Sequence, residues 1–295
     1  MFHPEDIKRL QEQSKSFLKR TSDEQFLLNE IEGLRNCIRF HEHRYYVMND
    51  PLIADVEFDQ LYKLLEKIES AYPALIKPDS PTQRVGAGFT KQFQTAQHLV
   101  PMLSLENSYN AEDLLEWDRK ARELSGLNEL KYCVEPKFDG ASISLVYEND
   151  QFTRGATRGD GVAGEDITLN LKQIKSIPLS AAFSTYGIQQ VEIRGEVLMN
   201  KKNFQQFNEG LIEQNLPPLA NPRNAASGSL RIKDASIVAK RNLEAFIYHL
   251  AYIHTEGKSK EIPSHSKSLE MLWELGFRSP VHEMKVLKGI HAVID

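Results

Sequence analysis

The chain has only two cysteines, Cys37 and Cys133, in 295 residues. They lie far apart in sequence, so neither a disulfide framework nor a zinc site built of cysteines is expected. No run reaches the roughly 18 apolar residues that a membrane-spanning helix needs. The N-terminus lacks a basic start followed by an apolar stretch, so no signal peptide is read. A reducing, cytoplasmic setting and no membrane partner are the expectations. Basic excess is missing too. With 36 Lys and Arg against 41 Asp and Glu, the formal charge is −5. That argues against nucleic-acid binding by the whole surface and leaves room for a local basic face. No internal repeat and no low-complexity tract is found.

What is present has the balance of a globular protein, with 41% hydrophobic and 26% charged residues. The length fits two domains, or one domain with an appendage. Residues 1–76 read as helical. Apolar residues recur at three- and four-residue spacing in Phe26, Leu27, Ile31, Leu34 and Ile38, and again in Phe58, Leu61, Leu64, Leu65 and Ile68. Ser22 and Asp23 are candidate caps for the first helix, and Asp55 for the second. Residues 44–51 read as a turn with two adjacent aromatics, stopped at Asp50-Pro51 because proline disfavours helical geometry in the residue before it. Residues 77–108 read as a connection, with turn formers at 77–82 and 86–88. A further amphipathic helix is predicted over 111–124. After Tyr132 the texture changes. Residues 141–147, 191–198 and 246–253 read as strands, with helical stretches at 201–213 and 267–275. Helices followed by mixed strands and helices predict an α+β chain.

Four stretches carry chemistry. Val134-Glu135-Pro136-Lys137-Phe138-Asp139-Gly140 places a lysine beside an Asp-Gly turn signal. One reading is a hairpin with a solvated lysine, since a Lys-x-Asp-Gly tetrapeptide arises by chance in roughly one chain in fifteen of this length. The other is a nucleophilic amine. An ordinary lysine titrates at about 10.4, and attack on phosphorus needs the neutral form. Glu135 and Asp139 flank Lys137 at two-residue spacing, which on a strand is one face. Their charge favours the ammonium, so Mg2+ or a phosphate-bound partner is expected to offset them. Second, four glycines in Gly155-Ala156-Thr157-Arg158-Gly159-Asp160-Gly161-Val162-Ala163-Gly164 let backbone approach a ligand, and Arg158 suits phosphate or ribose oxygens. A flexible surface loop is the competing reading. Third, Arg194-Gly195-Glu196 reads either as a place of close ligand approach or as an edge strand with an exposed ion pair. Fourth, residues 219–231 read as a tight turn freeing Arg223 and Arg231 for phosphates, or as a helix start with solvated arginines.

These stretches, together and in this order, resemble the bacterial NAD-dependent DNA ligases. Lys137-Phe138-Asp139-Gly140 is similar to the signature motif of the nucleotidyltransferase superfamily, which also holds ATP-dependent ligases, RNA ligases and mRNA capping enzymes. Thr157-Arg158-Gly159-Asp160-Gly161 with Gly164-Glu165-Asp166, residues 220–226 and Pro101-Met102-Leu103-Ser104-Leu105 resemble the NAD-dependent branch. So do Tyr45-Tyr46, Asp55-Val56-Glu57-Phe58-Asp59 and residues 78–86. The resemblance implies an N-terminal helical domain over 1–76 that recognises the nicotinamide mononucleotide (NMN) half of NAD. It implies a nucleotidyltransferase core over 77–295, related to ATP-grasp folds, with antiparallel sheets and flanking helices. Tyr45, Asp55, Phe58 and Asp59 would contact NMN, with Tyr46, where members often carry histidine, and Val56 and Glu57 beside them. Lys137 would form the phosphoramide with AMP, and Asp139 would orient the lysine or a metal. Glu135 would meet the adenine edge. Arg158 and Glu196 would hold the ribose and phosphate region, Ser104 and Leu105 would line the nucleotide site, and Arg223 and Arg231 would meet phosphates.

The family's closing Asp-Gly-Val-Val-Ile-Lys segment, its OB, helix–hairpin–helix and BRCT domains and its four-cysteine zinc module are not found in these 295 residues. The expectation is therefore an N-terminal fragment that binds NAD, adenylates itself poorly and does not seal nicks. Mg2+ is an expected cofactor, and Zn2+ is expected only in the missing part. Nicked double-stranded DNA is the expected partner of the full-length enzyme, and a monomer is expected. An ATP-using nucleotidyltransferase and a non-catalytic nucleotide-binding module are the alternatives.

Overall fold

A computed structural model describes residue 2 and residues 4–84, 92–255 and 264–295. The turn read over 86–88, and the end of the 78–86 motif, lie outside the described residues. The N-terminal part is helical: α1 (Pro4–Lys19), α2 (Glu24–Asn29), α3 (Ile31–Glu42) and α4 (Asp55–Ala71). The seam between them is the one the periodicity predicted. Leu34, Cys37, Ile38 and Phe40 of α3 and Leu61, Leu64, Leu65 and Ile68 of α4 join Leu10, Phe17 and Leu27 in one apolar cluster. Each large side chain so buried contributes about 1.5–3 kcal/mol. Arg35 is also buried there and is neutralised by Glu69 at 2.7 Å, with the Ser80 hydroxyl donating to the same carboxylate oxygen at 2.7 Å.

Local details depart from the sequence reading. Asp23 does cap α2, accepting from the Phe26 amide. Asp55, however, is the first helical residue, and the cap position is Ala54, whose amide donates to the Glu57 carboxylate at 2.9 Å. A carboxylate in a first helical turn also favours the helix dipole. The expected turn at Tyr45-Tyr46 is a π-helical turn, His43–Val47, continuing α3 directly. The Met48 amide bonds back five residues to His43 at 3.0 Å. Proline at position 51 stands too far along to stop the helix before Val47. Residues 77–84, read as connection, fasten onto these helices: Lys77 pairs with Glu32 at 2.6 Å and Asp79 with Arg39 at 2.8 Å.

The second part begins with β1 (Thr95–Gln97), α5 (Ala111–Ser125), β2 (Lys131–Val134), β3 (Ala141–Glu148), β4 (Gln151–Thr157) and β5 (Ala163–Glu165). It continues through α6 (Thr168–Leu171), β6 (Gln190–Leu198), α7 (Lys201–Glu213), α8 (Pro222–Leu230), α9 (Ala235–Ala239) and β7 (Glu244–His254). It ends in α10 (His265–Glu274), β8 (Lys285–Lys288) and α11 (His291–Ile294). A four-stranded antiparallel sheet in the order β4-β3-β6-β7 forms the centre, and two-stranded pairs β1-β5 and β2-β8 flank it. Alternation along β6 sends Val191, Ile193 and Val197 into a second apolar cluster. Glu192, Arg194 and Glu196 occupy the opposite face of the sheet. The mixed helical and antiparallel-sheet architecture is the α+β class the sequence predicted.

Three further readings are corrected by the structure. The Lys137 segment is not a hairpin, because β2 pairs with β8 rather than β3. Arg194-Gly195-Glu196 lies on a central strand, not an edge, and Arg194 pairs with buried Glu192 at 2.8 Å. The nearest obstacle to a side chain at Gly195 is the carbonyl of Phe246 on β7, so its glycine serves strand packing. Residues 219–231 hold a helix start, not a tight turn. Asn221 accepts from the Asn224 amide at 2.8 Å and Pro222 takes the first helical position, where a missing N–H costs nothing.

Candidate active site

Lys137 lies in an irregular segment between β2 and β3, and its side chain is exposed. Its neighbours are each tied to a different element. Glu135 accepts from Nε2 of His265 at the start of α10, at 2.7 Å. Phe138 stacks on Phe246 of β7 with centroids 4.4 Å apart. Asp139 pairs with Arg223 of α8 at 2.8 Å. The Gly140 amide donates to Glu196 of β6 at 3.2 Å. The two carboxylates that flank Lys137 in sequence are thus turned to other partners. Among the described residues none is an ion-pair partner of the lysine.

Glu196 is the polar anchor of the sheet face. Beyond Gly140 it accepts from Ser142 at 2.9 Å and from the Tyr248 hydroxyl at 3.3 Å. Burial pushes its carboxyl above the ordinary value of 4.5, partly offset by these donors. The same environment and the nearby Glu196 charge push the Tyr248 hydroxyl up to about 12.

The glycine-rich loop sits beside this face. β1, unforeseen in the sequence, pairs with β5 and draws residues 98–105 alongside it. The His98 amide donates to Val162 at 3.0 Å and the Met102 amide to Gly161 at 2.7 Å. Buried Glu192 accepts from the Leu99 amide at 2.5 Å, while Arg194 donates to the Pro101 carbonyl at 3.0 Å. The Glu192–Arg194 pair therefore moors this segment to the central strand. Its end carries Ser104, whose hydroxyl accepts from Arg158 at 2.7 Å, and Leu105, which is 78% exposed. Gly159 has φ +57°, and a side chain there would collide with the Ala163 carbonyl. Its glycine is demanded by the turn itself. Arg231 pairs with Glu165 on β5 at 2.6 Å.

The Tyr45–Asp59 stretch forms a separate pocket of about 320 Å³, lined by Tyr45, Tyr46, Pro51, Asp55, Phe58 and Asp59 among others. Val56 and Glu57 are not among its lining residues. One lining residue comes from the second part of the chain. Lys175 places its ammonium 5.0 Å from the Tyr46 ring centre and 5.6 Å from that of Phe58, and donates to the Tyr46 hydroxyl at 3.2 Å. None of the residues around Lys137 lines this pocket.

Sequence reading missed His265, Ser142, Tyr248 and Lys175. Ser142 and Tyr248 sit at alternating positions of strands that were read, and strand register would have found them. His265 meets Glu135 across 130 residues, and no local signal marks it. Among the described residues no group of three or more His, Cys, Asp or Glu side chains comes together to hold a metal ion. With Asp139 engaged by Arg223, the residues present do not fit a protein cage for Mg2+.

The family described as NAD-dependent DNA ligase adenylation domain matches residues 90–295. The chain belongs to that family. A second description, DNA ligase-like, N-terminal NAD+-binding domain, matches residues 24–86. The DNA ligase of Persephonella marina is 58% identical over 269 residues, covering 90% of this chain and 38% of that protein. The DNA ligase of Sulfurihydrogenibium azorense is 54% identical over 301 residues, covering 100% of this chain and 43% of that protein. That of Aquifex aeolicus is 52% identical over 300 residues, covering 100% and 41%. The chain spans 38–43% of the length of these curated relatives. Among the described residues no helix is long and apolar enough to cross a membrane.

Proposed function

We propose that this chain is the adenylate-accepting part of a NAD-dependent DNA ligase. The neutral amine of Lys137 attacks the adenylyl phosphorus of NAD. A bond forms between Nζ and phosphorus, and the bond from phosphorus to the bridging oxygen breaks. NMN leaves with that oxygen and its electron pair, and the amine proton passes to solvent. The observation that carries this reading is the setting of Lys137: an exposed lysine, free of carboxylate partners among the described residues, held between neighbours each anchored to a different element. Such pre-positioning supplies much of what a displacement at phosphorus asks of a protein.

In this reading Glu135 meets the adenine edge, while Glu196 and Arg158 hold the ribose and phosphate region. Ser104 and Leu105 line the nucleotide site, and Arg223 and Arg231 meet phosphates. The Tyr45–Asp59 pocket takes the NMN half, where aromatic faces and the carboxylates of Asp55 and Asp59 suit a pyridinium cation. We assign the helical residues 1–76 and the sheet-bearing residues 77–295 to these two tasks. In the whole protein the AMP would pass to nicked duplex DNA, and Mg2+ is assigned to the reaction on resemblance to the family alone.

Incubation with NAD or with ATP, followed by intact-mass analysis and assay of released NMN, tests the donor. The expected result is one AMP added from NAD with NMN released. Labelling by ATP alone would refute the assignment.

A further inference from the structure

We propose that Lys175 is an internal occupant of the Tyr45–Asp59 pocket, displaced when a cationic aromatic ring binds there. The ammonium stands over two aromatic rings and donates to one tyrosine hydroxyl. Among the described residues it has no carboxylate within ion-pair distance, so what holds it is the pocket itself. It arrives on a short segment of the sheet-bearing part that is already fastened to the helical part. Arg84 donates to the carbonyls of Lys172 and Ile177, each at 3.0 Å, and pairs with Glu42 at 3.3 Å. Gln173 donates back to the Arg84 carbonyl. The backbone beneath Lys175 is thus fixed close to the pocket, which gives its ammonium a high effective concentration there.

The NMN half of NAD carries a planar pyridinium of the same charge sign. Cation and ring face attract in the same way for both, so the two are alternatives for one place. Binding would then be an exchange of one cation for another. Lys175 swings out, and the contact that joins the two parts of the chain at Tyr46 and Phe58 is released in the same event. The exchange rests on the pocket being the NMN subsite.

Calorimetric titration of the 295-residue chain with NMN tests it, using the unaltered protein, Lys175→Met and Phe58→Ala. Methionine keeps the length and apolar stem of lysine without its charge, and Lys175→Gln serves as a second neutral variant. Thermal unfolding checks that each is folded. The exchange predicts NMN binding about tenfold tighter in both Lys175 variants and weaker in Phe58→Ala. Affinity unchanged or reduced in the Lys175 variants, with Phe58→Ala still weaker, would overturn the exchange and leave the subsite assignment standing. NMN binding indifferent to Phe58→Ala would remove the subsite assignment, and the exchange with it.

Discussion

The two sites are built in different ways. The Tyr45–Asp59 pocket is lined, Lys175 apart, by one continuous stretch, residues 41–59, whose flanking helices share one apolar seam. The Lys137 site is gathered from β2, β3, β6, β7, α8 and α10, and the ties that gather it are mainly polar: Glu135 to His265, Asp139 to Arg223, Gly140 to Glu196. A pocket of the first kind keeps its shape as long as the seam is packed. A site of the second kind can lose one contributor through a single polar change. The first should therefore fail through stability and the second through geometry.

The largest expected effects come from breaking the buried ion pair on each side. Glu69→Ala leaves Arg35 buried without its main partner, and Arg194→Met does the same to Glu192. Removing one member of a buried pair costs about 3–5 kcal/mol. Urea unfolding should show both losses. AMP binding to the folded protein should survive Glu69→Ala and weaken in Arg194→Met, because the latter also frees residues 98–105. Equal AMP affinity in both folded variants would mean that the Lys137 site does not depend on the Glu192–Arg194 mooring.

Next is Gly159→Ala. A left-handed backbone and a collision with Ala163 together cost about 1–3 kcal/mol in the loop. AMP affinity should fall while NMN affinity stays, as separate calorimetric titrations would show. A matching fall for NMN would mean the sites are not separately built.

Acidification should act on the buried histidines of the helical part and on Glu196 with opposite sign. Burial holds His41 and His43 at about 4, below the ordinary 6.5. The unfolded chain takes up these protons below 6.5, while the folded chain resists until about 4. The stability carried by the neutral rings is present above 6.5 and lost between 6.5 and about 4. Glu196 runs the other way. Its folded carboxyl keeps its proton above the ordinary 4.5, so that contribution is complete below 4.5 and is lost as pH rises through the raised value. Urea midpoints measured across this range should show His43→Gln flattening the acid loss and Glu196→Gln flattening the opposite slope. Unchanged slopes in both variants would contradict these burial effects. Least of all, Arg223→Ala breaks an ion pair whose partners are 61% and 74% exposed, and should change stability by less than about 1 kcal/mol. A larger loss in urea would mean that the tie to Asp139 bears on the fold as well as the site.

Local signals carried α3, α4, α5, α7 and α10 and the central strands β3, β6 and β7, whereas β4, whose end was read as part of a glycine-rich loop, was missed. The spacing in α3 and α4 reports a seam two helices wide, and alternation over 141–147 and 191–198 reports one face in the core. Pairings between distant segments carry no such signal. β1 with β5 and β2 with β8 join short strands whose partners stand far along the chain, which is why 77–108 read as connection and Lys137 as part of a hairpin. Tyr45-Tyr46 read as a turn because proline at position 51 marks where helix must have ended, not where it does end. At the candidate site the motif residues were legible by type, whereas His265 and Lys175 became visible only once the chain was folded.

Intact-mass analysis of the unaltered chain and of Lys137→Ala after incubation with NAD and Mg2+, with peptide mapping of any adduct, decides whether Lys137 is the nucleophile. The expected result is a single AMP on Lys137, absent from Lys137→Ala. An adduct that persists in Lys137→Ala, one that maps to another residue, or NAD binding with no adduct in either protein would contradict it.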